Sequence, residues 1–313
     1  MHGVAQEVRQ EPAVLLSRRR LLLGSIALPP VLALYATGIS RHEIDITQRI
    51  FMIRDLPTAF DGFRIVQFSD IHLEEYTEEF FLRRVLHEVN ALKPDLLLIT
   101  GDFVTRTGGP LGPSLEAASR CAAMLGSLTC PQRFGVLGNH DANVGSRLVR
   151  AHLADYGLPL LVNEHVQIER DNQHIYLCGL DDYDFGAPNL SLALPQQPDA
   201  PVLLMVHEPD YADTIVTHPR GHLVDLIFSG HTHGGQVRLP FLPPLSLPPN
   251  GRRYVEGHYL IGSTQLYVNR GIGTVGLPIR FNCPPEITVA TLRRAETPLT
   301  QQRSTRAAVT LQL

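Results

Sequence analysis

The sequence predicts an α/β fold in one domain, a two-sheet β-sandwich core flanked by helices. Three observations predict it. From Phe63 onward, short apolar runs of strand length alternate with segments of helical period. Five of those runs lead into polar, metal-capable residues: Asp70/His72, Asp102, Asn139/His140, His207 and His231/His233. A chain of 313 residues, 44% hydrophobic and 19% charged, is large enough to bury such a core beneath an ordinary surface. Sites in α/β scaffolds are usually built from loops at strand ends, so one edge should carry all five groups.

The elements follow in order. Arg64-Ile65-Val66-Gln67-Phe68 is apolar and β-branched, a strand running into Ser69-Asp70. Over residues 78–92, Phe81, Leu82, Val85, Leu86, Val89 and Leu92 recur with helical period, and Pro94 stops the helix. Residues 95–100 form a second buried strand reaching Gly101-Asp102, and 115–128 fit a helix. Phe134-Gly135-Val136-Leu137 is a third strand ending at Gly138-Asn139-His140-Asp141, and Ser146 caps a helix running to Tyr156. Residues 166–169 and 175–179 read as an antiparallel pair, and 202–206 as a central strand ending at His207. A buried run at 224–229 precedes the last motif, and 259–270 and 286–292 read as two further strands.

The termini stand apart. Residues 1–40 read as a targeting segment. Arg18-Arg19-Arg20 precede Leu21-Leu22-Leu23-Gly24-Ser25-Ile26-Ala27-Leu28, an apolar stretch too short and too soon broken by Pro29-Pro30 to span a membrane. Ser17-Arg18-Arg19-Arg20-Leu21-Leu22 resembles a twin-arginine export signal, with Leu21 where Phe is usual and Leu23 where Lys is usual. Export to the periplasm or the outer face of the cell membrane is expected, with the segment either removed or kept as an anchor. The domain proper spans 45–294, and the polar, patternless residues 295–313 are expected to be a flexible tail.

Composition excludes several classes. A net charge of -4 and a pI near 6.4, with no basic stripe, argue against a general nucleic-acid or anionic-membrane binder. Cys121, Cys130, Cys178 and Cys283 have no C-x-x-C spacing, which removes zinc ribbons and thioredoxin-like sites. A Cys121–Cys130 disulfide and four buried thiols both fit what remains.

The last motif is Gly230-His231-Thr232-His233-Gly234-Gly235-Gln236. An extended His-x-His pair would point both rings to one side, which suits two metal ions set close together. Read singly, each group has a plainer meaning. Asp70 or Asp102 alone would be a strand-end cap, Asn139 a turn residue, and His207 before Glu208-Pro209 a loop residue. Five such coincidences at five strand ends are what a structural reading would have to accept.

Asp-x-His, Gly-Asp, Gly-Asn-His-Asp, His and Gly-His-x-His in this order resemble the calcineurin-like metallophosphoesterase superfamily, over roughly residues 63–292. Phe60-Asp61-Gly62-Phe63-Arg64-Ile65-Val66 and Val206-His207-Glu208-Pro209-Asp210 look like its exported, single-domain bacterial branch. That branch includes twin-arginine-exported phosphodiesterases and lies near enzymes that cleave the pyrophosphate of UDP-2,3-diacylglucosamine. The resemblance implies an αββα fold, two divalent metal ions, and phosphodiester hydrolysis by a metal-bridging hydroxide. The alternatives are pyrophosphohydrolysis of a nucleotide-linked lipid sugar and phosphomonoester hydrolysis. Export disfavours the former, because nucleotide-sugar lipids lie on the cytoplasmic side. A non-catalytic metal scaffold would have a broken ligand set, and here every expected position is filled.

On this reading Asp102 bridges the ions. One takes Asp70, His72, Asp102 and His233; the other takes Asp102, Asn139, His207 and His231. Oxygen and imidazole donors without thiolate suit Mn, Fe or Zn. By resemblance His140 is no ligand but the general acid at the leaving group, or a transition-state stabiliser, with Asp141 fixing its tautomer. Residues 239–253 are Pro-rich and carry Phe241, Leu242, Leu245 and Leu247, then Arg252-Arg253. They form either a lip whose apolar side meets an acyl chain or bilayer, or a crossover loop whose leucines are core. The expected partners are a phosphoester small molecule or lipid-linked substrate, and a membrane surface met by the N-terminal segment and this loop.

Overall fold

Two mixed sheets pack face to face in the computed structural model, which describes residues 30, 32–73, 75–106 and 108–295. Most of the targeting segment and the expected tail beyond Ala295 lie outside the described residues. The first sheet is ordered β1 (Asp45–Ile53), β11 (Glu286–Arg294), β2 (Arg64–Phe68), β3 (Leu96–Thr100) and β4 (Arg133–Val136). The second is ordered β5 (Glu164–Arg170), β6 (Gln173–Gly179), β7 (Val202–Met205), β8 (Leu226–Ser229), β10 (Thr264–Val268) and β9 (Gly257–Ile261). Within the first sheet β2, β3 and β4 are parallel; within the second, β6, β7, β8 and β10 are.

Strands buried on both faces need no polar side, and that explains their continuous apolar runs. In β3, Leu96 and Leu98 face the opposing sheet, where Leu177, Leu203, Met205, Leu226 and Phe228 join them. Leu97 and Ile99 face the other way, against helices α1 (Glu79–Leu92), α2 (Leu111–Leu125) and α3 (Asn139–Asp155) through Phe81, Val85, Ala118 and Val149. The short helices α4 (Leu190–Ala193) and α5 (Ala212–Thr217) cover the second sheet with Leu190, Ala193, Ala212 and Ile215. The layers therefore run helix, sheet, sheet, helix. Truncating a fully buried member such as Leu98 to Ala costs about 2–5 kcal/mol.

Several elements differ from the sequence expectation. Strand β1 was not foreseen, because Ile46, Ile50 and Met52 are exposed and only Phe51 and Ile53 are buried. Its pairing with β11, not its own pattern, makes it a strand. Residues 259–270 are not one strand but part of a hairpin that turns at Gly262, where φ is +60. The helix expected from Ser146 begins seven residues earlier in sequence, at Asn139, and is broken at Gly145 (φ 141). Asn139, His140 and Asp141 thus occupy a first helical turn. All four cysteines are free and buried, so the Cys121–Cys130 disulfide is not formed. No helix among the described residues is long and apolar enough to cross a membrane.

Candidate metal centre

Parallel β2, β3, β4, β7 and β8 deliver their C-terminal ends to one edge of the sandwich, as open α/β sheets do. Asp70 and His72 follow β2, Asp102 follows β3, Asn139 and His140 follow β4, His207 follows β7, and His231 and His233 follow β8. The backbone is bent at most of these positions. Asp70 (φ 55), His72 (φ 47), Asp102 (φ 56), His231 (φ 74) and His233 (φ 51) are all left-handed without being glycine. Such conformations cost on the order of 1–3 kcal/mol each and persist where surrounding structure holds them. Here Asp70 N–H donates to Gly101 O at 3.0 Å, and His72 N–H to Asp102 O at 3.0 Å.

Close approach requires glycine at several positions of the site, Gly230 and Gly101 among them. A Cβ on Gly230 would lie 2.0 Å from Ser69 Oγ and 2.6 Å from Asp70 Oδ2. Gly101 is itself left-handed (φ +92), and a Cβ there would meet His207 Nδ1 at 2.5 Å.

The side chains converge. Asp102 Oδ2 lies 3.4 Å from His72 Nε2 and 3.2 Å from His207 Nε2. Asp70 Oδ1 lies 3.6 Å from His233 Nε2 and 3.9 Å from His207 Nε2. His72 Nε2 and His233 Nε2 are 3.1 Å apart, and His231 Nδ1 is 3.1 Å from Asn139 Oδ1. Three overlapping groups have ligand atoms within 4.8 Å of one another: Asp70/His72/His233, His72/Asp102/His140 and Asp102/His207/His231. All seven side chains expected to hold metal are thereby brought together.

The rings are oriented from behind. His72 Nδ1 meets Thr105 Oγ1 at 2.8 Å, His207 Nδ1 the Thr100 carbonyl at 2.6 Å, and His231 Nε2 the Pro249 carbonyl at 2.7 Å. Such outer bonds fix ring orientation in metal sites. Because carbonyls only accept, His231 carries its proton on Nε2, and its Nδ1 lone pair faces the Asn139 oxygen. Two acceptors at 3.1 Å repel unless a cation lies near both. His207 Nε2 is likewise buried without a hydrogen-bond partner. The donor set fits divalent cations.

Electrostatics agree. Burial pushes His72 down to about 3 and His231 down to about 4, so both are neutral and ligand-ready at neutral pH. Burial also works to lower His207, but the carboxylates of Asp102, Asp70 and Glu208 lift it well above the ordinary imidazole range. Burial pushes Asp70 up to about 6, partly opposed by His207. Burial works upward on Asp102 too, yet His207, His140 and His72 hold it well below the usual carboxylate range.

Two expectations are corrected. His231 and His233 are not an extended pair; both are left-handed in a tight turn, and their rings go to different groups. Asp141 does not touch His140. Its buried carboxylate accepts the backbone N–H of Phe103 at 3.0 Å, Val104 at 3.3 Å and Gly138 at 3.1 Å, closing the first turn of α3. His140 Nδ1 instead accepts the Arg106 N–H at 2.9 Å, which leaves the ring proton on Nε2.

Thr105, Thr100 and Pro249 carry no sequence signal, because a backbone carbonyl or a lone hydroxyl behind a ring belongs to no pattern. Arg280 was missed for the same reason. Its guanidinium is fully buried and donates to the carbonyls of Arg270, Gly271, Gly273 and Cys283, with His233 Nδ1 3.4 Å away.

With this geometry in view, the comparisons with known proteins agree. Residues 63–235 match the calcineurin-like phosphoesterase family, and the chain belongs to it. Metallophosphoesterase YkuE of Bacillus subtilis is 37% identical over 291 residues, covering 89% of this chain and 98% of that protein. Phosphodiesterase YaeI of Escherichia coli is 29% identical, covering 74% of this chain and 82% of its own. The UDP-2,3-diacylglucosamine pyrophosphatase LpxG of Chlamydia trachomatis is 30% identical, covering 85% and 94% respectively. The protein is a metal-dependent phosphoesterase.

Proposed function

We propose that this phosphoesterase cleaves phosphodiester bonds outside the cytoplasm, using two divalent ions of Mn, Fe or Zn. Asp70, His72, Asp102 and His233 would hold one ion, and Asp102, Asn139, His207 and His231 the other. The observation that carries the reading is Asp102 Oδ2 lying between His72 Nε2 and His207 Nε2, at 3.4 and 3.2 Å, where one carboxylate serves both groups. When bound, such ions acidify water and screen charge on phosphoryl oxygens.

The chain's own residues do the rest. His140 keeps its proton on Nε2, because Nδ1 accepts from Arg106, and so can deliver that proton to a leaving-group oxygen. Its backbone N–H donates to Asp102 Oδ1 at 3.0 Å, tying the acid to the shared carboxylate. Asp141 locks the turn that presents it. The twin-arginine-like leader is the basis for placing the reaction on the periplasmic side, with the N-terminal segment against the membrane.

A pyrophosphohydrolase acting on a nucleotide-linked lipid sugar is the second reading, favoured by the exposed Phe241, Leu242 and Leu245 beside the site and by the likeness to LpxG. Mn-loaded full-length protein assayed against matched mono-, di- and pyrophosphate substrates decides between them. Fastest turnover of diesters supports the first reading and of pyrophosphates the second. Turnover of none, in a protein that fails to bind Mn, would overturn both.

A further inference from the structure

We infer that the rim of the metal centre is a docking face for a lipid bilayer, in which Leu34, Ile39, Leu239, Phe241, Leu242 and Leu245 enter the boundary between headgroups and acyl chains. It deepens the hydrolase reading, on which it rests only for what is delivered there: a phosphoester carried by a lipid.

The loop of residues 239–253 is tethered to the site at both ends. Before it, Val237 bridges to Phe281 and Arg238 N–H donates to Phe281 O at 2.9 Å. After its apolar part, the Pro249 carbonyl meets His231 Nε2 at 2.7 Å. Between these points Pro244 packs where a side chain on Gly235 would be, just beyond the His-x-His turn. A loop pinned this closely could have buried its apolar side chains. Instead Phe241 is 105% exposed, Leu242 57% and Leu245 64%. Phe241 is held there by a left-handed backbone (φ 66), rare for a bulky residue. Clustered exposed apolar groups of this kind mark an interaction surface.

The N-terminal segment reaches the same place independently. Arg280 N–H donates to Ala36 O at 3.1 Å, and the Tyr35 ring meets Phe281 edge-on at 6.4 Å. Phe281 is the residue that pairs with Val237, so one residue joins the segment to the root of the loop. Leu34 (69% exposed) and Ile39 (58%) present further apolar surface beside it. Upstream in sequence lie Leu21-Leu22-Leu23 and Ile26-Ala27-Leu28, behind Arg18-Arg19-Arg20. As an export signal or a retained anchor, such an apolar run brings the chain to a bilayer, and the first described residues that follow it in sequence lie at this rim. Arg252 is exposed and its backbone N–H donates to Asp210 Oδ2 at 2.9 Å, which leaves the guanidinium to meet a headgroup phosphate.

The chain contains no tryptophan, so Phe241→Trp makes the loop the sole indole reporter in the full-length protein. It is mixed with vesicles of phosphatidylcholine and phosphatidylglycerol whose acyl chains carry bromine. The expected result is an emission shift to shorter wavelength with strong quenching, while Leu192→Trp, at the exposed Leu192 of α4, changes little. Three outcomes overturn the proposal. The Phe241→Trp emission stays water-like although the protein floats with the vesicles, meaning that the leader alone attaches it. The emission is already blue-shifted without lipid, meaning that the leader or a second copy covers the loop. Leu192→Trp responds equally, meaning unspecific adsorption. Fluorescence needs no turnover and Mn titration of the same variant needs no lipid, so failure of the docking face and failure of the hydrolase reading are read separately.

Discussion

His207 Nε2 lies 3.2 Å from Asp102 Oδ2 while the Thr100 carbonyl holds its Nδ1 at 2.6 Å, and both side chains are buried. Burial alone would strip His207 of its proton, but Asp102, Asp70 and Glu208 lift it well above its ordinary value. In metal-free protein these carboxylates favour a proton on the ring where the second ion would bind. A cation must displace it. Binding of Mn is expected to release protons at neutral pH and to weaken as pH falls. Calorimetric titration in buffers of different ionisation enthalpy measures the release. Asp102→Asn should reduce bound metal from two ions to one or none, read by elemental analysis.

The threonine behind His72 makes a milder test. Thr105 Oγ1 lies 2.8 Å from His72 Nδ1, on the side of the ring away from the Nε2 that meets Asp102 and His233. Thr105→Val keeps the volume and removes the hydroxyl. Metal affinity should fall about 10–100-fold, the usual effect of losing an outer partner, with little change in folding. An unchanged affinity would mean that packing alone orients the ring.

His140 separates two roles. Its ring stands 5.0 Å from that of His72, and it forms a group of metal-ligand spacing with His72 and Asp102. A general acid predicts that His140→Gln retains both ions but loses about 10²–10⁴-fold in kcat on alkyl diesters. The loss should be smaller with p-nitrophenyl leaving groups, which need less protonation. A ligand predicts loss of metal from the variant. Elemental analysis beside the two assays distinguishes these outcomes.

Burial on both faces made β2, β3, β7 and β8 legible, because it writes continuous apolar runs whose ends mark the site. Strand β1 escaped because its partner β11 lies over two hundred residues away, and only Phe51 and Ile53 of its apolar residues are buried. The positions of Asp70, His72, Asp102, His207, His231 and His233 follow from strand ends, but their shared left-handed backbone does not. That conformation is imposed by contacts such as Asp70 N–H to Gly101 O, which join separate loops. Asp141 was misassigned because adjacency in sequence suggested a contact that the helical turn directs elsewhere.

A tight glycine position tests whether the two loops must touch. Gly230 N–H donates to His207 O at 3.1 Å, and its α-carbon faces Ser69 and Asp70. Adding one methyl there forces Ser69 Oγ and Asp70 Oδ2 away, at an expected cost of about 1–3 kcal/mol. Gly230→Ala should therefore lower the urea midpoint modestly but weaken metal binding strongly, because Asp70 leaves its place beside His233.

Glu286 provides the last test, away from the metals. Its carboxylate accepts the Thr47 hydroxyl, the Tyr267 hydroxyl at 2.6 Å, and Arg270 through N–H at 3.0 Å and Nε at 3.1 Å. Arg270 also pairs with Asp45 at 2.6 Å, so this network ties β1 to β10 and β11. Burial works to raise the Glu286 pKa, but Arg270 and the two hydroxyls bring it below its ordinary 4.5. A carboxylate depressed in the folded state contributes stability above its unfolded pKa and loses it as pH falls through the folded value. Stability is therefore expected to fall on acidification below about 4.5. Glu286→Leu should cost about 3 kcal/mol at neutral pH, because Arg270 keeps only part of its compensation. It should also flatten the acid limb of the stability curve. Urea unfolding of both metal-free proteins at several pH values measures both, because the titration of Asp70, Asp102 and His207 is common to the two and cancels in their difference. Equal stability of Glu286→Leu and the unaltered chain across that range would show that the network contributes nothing to the joining of the strands.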